Sequence, residues 1–341
     1  MDNFDTRDCR KPAPFIYTTV LHSTHVISIP IYCLVLFLLI RIKSKLFTTY
    51  KYYLIFHTVS IAIFEVYVSV LMLPIFYMPY PILRATGLLA ILEISGLFQF
   101  NILVFMIELT GCSIIEMYYY RYKSCVLDYS KLKFTKFLQT NVYLFRFIMI
   151  GSSTLASIPP FFDPNGQQRG VIEIYQNHPE LPIEITCPTS VRASFKAFIQ
   201  YSNMLSWLIL LIICASTIPI SIYHIFITLK RISNLSAQTL KMQKMLLTSL
   251  VIQTFTHGIL IFCPVAVFVY VVAVAFPYQN FVLTAFIFLA CHGFFSTVSM
   301  IIFTKPIREG MKDLFSICGD SKVDTSVRQT PMTTVISIAD S

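Results

Sequence analysis

Charge is scarce in this sequence. Only 13% of the 341 residues are Asp, Glu, Lys or Arg, 56% are hydrophobic, and mean hydropathy is +0.70. Soluble domains carry roughly 25% charged residues. Too little charge remains here to cover a water-facing surface, which argues against a globular soluble enzyme. Catalytic signatures are also missing. There is no Ser/His/Asp order, no HExxH, no P-loop and no Gly-rich phosphate cradle, so no enzyme activity and no cofactor is expected. The nine cysteines include no CxxC pair and no Cys/His spacing of a zinc site, and no metal is expected. Residues 1–14 are polar and mixed in charge, with no apolar run after a basic start, so no signal peptide is expected. Internal repeats and low-complexity segments are absent as well. Their absence weakens the reading of an inverted-repeat transporter.

Long apolar runs are abundant instead. A bilayer core of about 30 Å needs roughly 20 helical residues. Seven runs qualify, at about residues 17–40, 52–76, 87–118, 137–162, 195–229, 245–276 and 280–304. Only helices or closed barrels satisfy their backbone in lipid, and runs this continuous are not barrel strands. The fold class expected is an all-α membrane protein, a seven-transmembrane helix bundle. An N-terminal arm (1–16) precedes the bundle (17–304). An amphipathic juxtamembrane helix (305–318) and a disordered Ser/Thr-rich tail (319–341) follow it.

Basic residues orient the bundle. Arg41, Lys43, Lys45 and Lys51 mark the first loop; Arg121, Lys123, Lys131, Lys133 and Lys136 the third; Lys230, Arg231, Lys241 and Lys244 the fifth; Lys305, Arg308, Lys312, Lys322 and Arg328 the tail. These are 18 of the 26 Lys and Arg, against seven on the other side and Arg146 within a span. Positive charge collects on the cytoplasmic side, which puts the N-terminus outside and the C-terminus inside. The net charge of +9 therefore reflects inner loops and membrane lipids, not nucleic acid. The glycosylation pattern Asn234-Leu235-Ser236 falls on the inner side and should be silent.

Several residues stand out against this apolar background. Glu65 lies mid-membrane in the second span, where a carboxylate must be protonated, paired or facing a wet cavity. Glu93, Gln99, Asn101 and Glu108 line the third span, with Glu93 and Gln99 in the outer part where a ligand pocket is expected. Glu108 and Arg146 lie at comparable depth and are candidates for an ion pair. With His292 and Glu65 they form an expected intramembrane polar hub. Trp207 and the aromatics of the fifth and sixth spans are candidates for an apolar pocket. Pro74, Pro219 and Pro264 lie within spans and can kink them, Pro264 as a pivot. Cys9 and Cys187 are the two cysteines on the expected outer side, where oxidation permits a disulfide. His22 and His25, one turn apart, are too few ligands for a metal. Cys318 is a candidate for lipidation.

Some of these residues also fall into ordered motifs. "LHSTHVISIPIYCLV" places His22, Ile29 and Pro30, and the second span places Glu65 nine residues before Pro74. "SAQTLKMQKMLLTSLVIQ" places Ser236, Thr239, Met242, Gln243, Lys244 and Gln253. The last span and its sequel place His292, Gly293, Ser296, Thr297, Met300, Pro306 and Arg308. In order and spacing these motifs resemble the nematode chemoreceptors of the Str superfamily, most closely serpentine receptor class h, with class i next. The resemblance spans about residues 9–315. Two departures stand in the chain. The family's acid before Arg-Tyr is replaced in Tyr119-Tyr120-Arg121-Tyr122, and its Pro-Tyr-Arg reads Pro306-Ile307-Arg308.

The resemblance implies a chemosensory G-protein-coupled receptor with two partners, a small-molecule ligand and a heterotrimeric G protein. Arg121, Tyr122, Gln243, Lys244, Pro264 and Arg308 would form its coupling switch. It also implies the plasma membrane, with a sensory-neuron cilium as one setting the resemblance allows. A seven-helix ligand-gated channel or a small-solute transporter is the alternative. The topology has a direct check: an antibody tag at Met1 should stain intact cells, and one at Ser341 only permeabilised cells. The reverse staining would overturn the orientation.

Overall fold

The computed structural model describes residues 9, 11–42, 47–78, 80, 82–125, 133–157, 166–192, 198–231, 237–274 and 279–320. Lys43, Lys45, Lys131, Lys322, Arg328, the Asn234–Ser236 pattern and residues 321–341 lie outside them. Seven spans run through the bundle. They are α1 (Phe15–Arg41), α2 (Thr48–Val66) with a π-helical turn (Tyr67–Met72), α4 (Gly96–Cys125), α5 (Lys133–Ser157), α7 (Phe198–Arg231), α8 (Ala237–His257) continued through a second π turn (Gly258–Phe262) into α9 (Cys263–Val274), and α10 (Gln279–Phe303). Short elements join them: β1 (Pro74–Tyr77), β2 (Ile82–Ala85), α3 (Leu88–Ile91), α6 (Gly166–Asn177) and β3 (Ser190–Arg192). Finally, α11 (Lys305–Asp320) follows α10.

Six of the spans are long and apolar enough to cross a membrane by length and composition alone. The exception, α5, is 25 residues long but carries Lys133, Lys136, Gln139, Asn141 and Arg146. The outward faces are apolar, as lipid requires: Phe147 is 75% exposed, Val26 70% and Phe255 69%.

Inside, the core has two apolar tiers, named outer for the one on the expected extracellular side and inner for the other. The outer tier gathers Tyr17, Phe64, Met72, Phe76, Leu103 and Phe286. The inner tier gathers Val35, Leu39, Phe47, Tyr118, Leu246 and Met300. Between the two lie buried polar side chains of α2, α8 and α10, among them His57, His257 and His292.

The boundaries correct several expectations. Pro74 does not kink a span. It opens β1, where a missing N–H is tolerated at a strand's first residue. The second span loosens instead through its π turn and ends at Leu73, in the left-handed region at φ 45°. Glu93 does not line the third span, which begins only at Gly96. It turns the corner between α3 and α4 at φ 57° and is exposed. Pro264 does fall at a helix irregularity, as the second residue of α9 immediately after the π turn. Pro306 sits in the first turn of α11, where a proline costs no helical hydrogen bond.

An outer cap closes over the bundle, and apolar periodicity gives no hint of it. β1, β2 and β3 form an antiparallel sheet with Pro74 opposite Ala85 and Leu83 opposite Val191. The α4 N-terminus docks onto this sheet through Gly96 N–H, which donates to the Pro188 carbonyl at 3.0 Å. A Cβ at Gly96 would stand 2.3 Å from the Thr189 carbonyl oxygen, a backbone atom that cannot swing aside. Gly96→Ala should therefore lower stability by about 1–3 kcal/mol, the usual cost of overpacking. Thermal unfolding of the purified protein measures this, and an unchanged midpoint would count against the packing described.

Candidate functional site

At the outer face the arm, the sheet and the second outer loop are tied together. Cys9 and Cys187 are joined in a disulfide, with Cα atoms 5.6 Å apart. Arg84, buried in β2, donates to the backbone carbonyls of Lys11 at 2.5 Å and Cys9 at 3.2 Å, and to the Tyr77 hydroxyl at 3.1 Å. Lys11 forms an ion pair with Glu184. The Glu184 hydrogen bond and charge push the Lys11 pKa up. Burial alone would raise that of Glu184, but the Lys11 bond and charge outweigh it and hold the carboxyl below its ordinary range.

Between the π turn of α2 and the outer half of α4 lies a cavity of about 490 Å³, open on the lipid-facing side where Ile63 and Phe98 are exposed. Ala62, Val66, Leu71, Leu89, Phe98 and Met106 are among its apolar lining. Tyr67 also lines it, but its hydroxyl donates to the Gln99 backbone carbonyl at 2.6 Å. The three residues expected to bind ligand are not brought together here. Glu93 is at an exposed corner. Gln99 is buried, and its amide donates to the Ile94 carbonyl at 2.8 Å. Trp207 lies on α7, with its side chain outside the described residues.

Deeper in the bundle, the expected polar hub divides in two. Glu65 meets the hydroxyls of Ser28 and Tyr32, which lie four residues apart on one face of α1. Gly293 of α10 makes room for them, since a Cβ there would lie 2.5 Å from the Tyr32 hydroxyl and 3.5 Å from Glu65 Oε2. His292 stands beside this group, its ring 4.9 Å from that of Phe64, and its Nδ1–H donates to the Leu289 carbonyl at 2.6 Å.

The other half of the hub lies between α4 and α5, and the expected Glu108–Arg146 pair is not formed. Arg146 pairs with Glu116, its Nε 2.6 Å from Oε1, while Glu108 accepts from the Ser152 hydroxyl at 3.1 Å. Antiparallel register explains the exchange. Eight residues separate Glu108 from Glu116, about 12 Å along the helix, and Arg146 enters at the lower level.

At the inner end Arg121 is 2% exposed. Its Nη2 donates to the Gln243 backbone carbonyl on α8 at 3.2 Å, and its guanidinium sits 4.8 Å over the Tyr50 ring of α2. One residue therefore links α2, α4 and α8. The Gln243 side chain accepts from the Cys125 thiol at 3.6 Å. Tyr122 is buried, with its hydroxyl 3.4 Å from that of Thr135. Lys244, next to Gln243 in the chain, is exposed, as is Arg308, which donates to the Ile302 carbonyl at 2.6 Å. Ile307 and Met311 of α11 pack into the inner tier, and Leu314 is half-buried. The side chains of Phe315 and Cys318 lie outside the described residues.

Sequence reading missed His57 and His257, although each is a histidine in the middle of an apolar run. Among the described residues no cluster of three His, Cys, Asp or Glu is placed to hold a metal ion.

The model of one protein family, described as the serpentine type 7TM GPCR chemoreceptor Srh, matches residues 12–317. No curated protein matches the chain.

Two outcomes follow from the ion pairs. If Glu116 and Arg146 support each other, exchanging both charges should restore the surface expression that either single reversal lowers. A double reversal no better than the singles would argue against the pair. The Glu184 contribution is present above the ordinary carboxyl range and lost as pH falls through its lowered pKa. That of Lys11 is complete below the ordinary lysine range and lost as pH rises through its raised pKa. The arm should thus be held at neutral pH, and protection of the Lys11 and Ala13 amides relative to their intrinsic exchange rates should fall on acidification. Glu184→Gln should abolish that pH dependence; persistence of the dependence would assign it elsewhere.

Proposed function

The chain belongs to the Srh family of serpentine seven-transmembrane chemoreceptors, and on that premise we propose that it is a G-protein-coupled receptor of the plasma membrane, captured here in its resting arrangement. Its ligand is a small molecule of mainly apolar character, and its partner is a heterotrimeric G protein. The apolar lining of the outer cavity supports the ligand class. The observation that carries the coupling role is the bond from Arg121 to the Gln243 carbonyl, which holds the inner end of α8 against α4.

Magnitudes favour a lock that a ligand can open. A hydrogen bond from a charged group contributes about 1.5–3 kcal/mol. Coupling between a ligand site and a distant site is typically about 1–3 kcal/mol. A ligand that prefers the open state therefore has the energy to release Arg121. The π turn beside Pro264 gives the sixth span a place to bend, and departure of its inner end from α4 would bare Arg121 and Tyr122 beside Lys244 and Arg308. A basic surface of that kind suits an acidic or polar protein partner. The carboxylate that the family sets before its Arg is replaced by tyrosine in this chain, and the backbone contact to α8 takes its place.

Nucleotide exchange on co-expressed G proteins, screened against volatiles and small metabolites, tests the reading. A ligand that raises exchange supports it. Arg121→Ala should raise ligand-independent exchange several-fold at equal surface expression. A ligand-evoked current that persists in cells without G-protein signalling would instead establish a channel and overturn the proposal.

A further inference from the structure

Three imidazoles meet in the polar layer between the two apolar tiers, one each from α2, α8 and α10. The ring centroids of His57 and His257 are 5.0 Å apart, and those of His257 and His292 are 5.3 Å apart. All three residues are buried, none more than 3% exposed.

Their neighbours fix where the ring protons sit. His257 Nδ1 is 2.8 Å from the Gln253 carbonyl oxygen, and His292 Nδ1 is 2.6 Å from that of Leu289. A carbonyl only accepts, so both Nδ1 atoms carry the proton. His57 Nδ1 is 2.7 Å from Ser113 Oγ. The Ser113 hydroxyl spends its own proton on the Thr110 carbonyl at 2.7 Å, so it too accepts from His57. Each neutral ring is left with a bare lone pair on Nε2. All three Nε2 atoms are buried and have no partner.

The deficit continues one turn toward the cytoplasm. Gln253 Oε1 and Ser296 Oγ, four residues from His257 and His292 respectively, are also buried without a partner. Below them the series closes. Gln253 Nε2 donates to Ser249 Oγ at 3.0 Å, and Ser249 Oγ lies 2.9 Å from Thr304 Oγ1.

Bare imidazole nitrogens take a metal ion or a hydrogen-bond donor. These three are not placed to hold a metal as they stand. A dry arrangement would leave a row of acceptors unmet in the middle of a membrane, which folded proteins avoid. We propose that the His57–His257–His292 cluster is a binding site for internal water, at least two molecules held between α2, α8 and α10. The count matches. Two waters bring four hydrogens, enough for the three Nε2 atoms and Gln253 Oε1, and the Thr297 hydroxyl, also buried without a partner, can turn its own proton to a water. The Ser296 hydroxyl has its own proton free to give to a water oxygen. Buried waters of this kind make two to four such bonds.

The position gives the site a role. His257 is the last residue of α8 before the π turn. Water there fastens the sixth span to its neighbours just where the pitch changes. Water can exchange partners without displacing a backbone, so the joint holds while it allows the span to swing.

The test uses the full chain, purified and reconstituted in lipid nanodiscs, with ¹⁵N-labelled histidine. Solid-state NMR should show three rings protonated at Nδ1, each with an Nε2 that receives polarisation from water protons. Signals are assigned by loss in His57→Gln, His257→Gln and His292→Gln. Rings protonated at Nε2, or Nε2 atoms with no transfer from water, would overturn the proposal. Thermal unfolding of His257→Phe gives a second answer of definite sign. If the site is wet, the phenyl ring strands the waters and the midpoint falls. If it is dry, the substitution removes an unmet acceptor and the midpoint rises, which would refute bound water. Stabilisation by micromolar Zn²⁺ that His257→Phe abolishes would assign the lone pairs to a metal instead, and would also refute it.

Discussion

Hydrocarbon supplies no hydrogen bonds, so every polar group carried into it must find a partner on the protein or on water held inside it. This constraint shapes the bundle. Glu65 is met by Ser28 and Tyr32, Glu116 by Arg146, and Glu108 by Ser152. Each of these contacts joins two helices, and each depends on one register. Apolar packing alone would let the helices slide, since lipid tails are as apolar as leucine. The polar contacts fix α1 against α2 and α4 against α5. The apolar tiers above and below then settle around them.

The spans were legible because their signal is long and simple. Roughly 20 apolar residues with few charges leave one structural solution in lipid, and among the described residues each of the seven runs holds a long helix. The partners of the intramembrane charges were not legible. Depth can be counted from sequence, but helix phase and register cannot, and Arg146 reached Glu116 where counting suggested Glu108. The sheet was hidden for a different reason. Its strands have three or four residues and include Pro74, too short and too proline-marked to show alternation. The π turns leave no periodic trace, although Pro264 marked the neighbourhood of one. At the inner end Arg121 could be singled out, yet its partner is a backbone carbonyl, which no residue type announces.

Arg121 and the histidine cluster illustrate two ways of joining the sixth span to its neighbours. At the inner end the link is one charged donor on one carbonyl, with a tyrosine ring beneath it. It is directional and is lost in a single step. In the middle, the side chains present acceptors facing acceptors, and such a junction cannot close on itself. Between them runs α8, continuous from the inner end to the π turn. A helix held firmly at one end and loosely at its centre bends most readily beyond the loose point.

The covalent link at the outer face has a consequence for how the chain is made. Cys9 and Cys187 are 178 residues apart, and α1, α2, α4 and α5 all lie between them. Oxidation cannot occur until the ribosome has delivered the fourth crossing and the loop beyond it. Oxidation at that point would seal a loop of four spans before the last three are added. A protease cut within that loop would leave both fragments on one molecule until a reductant is supplied.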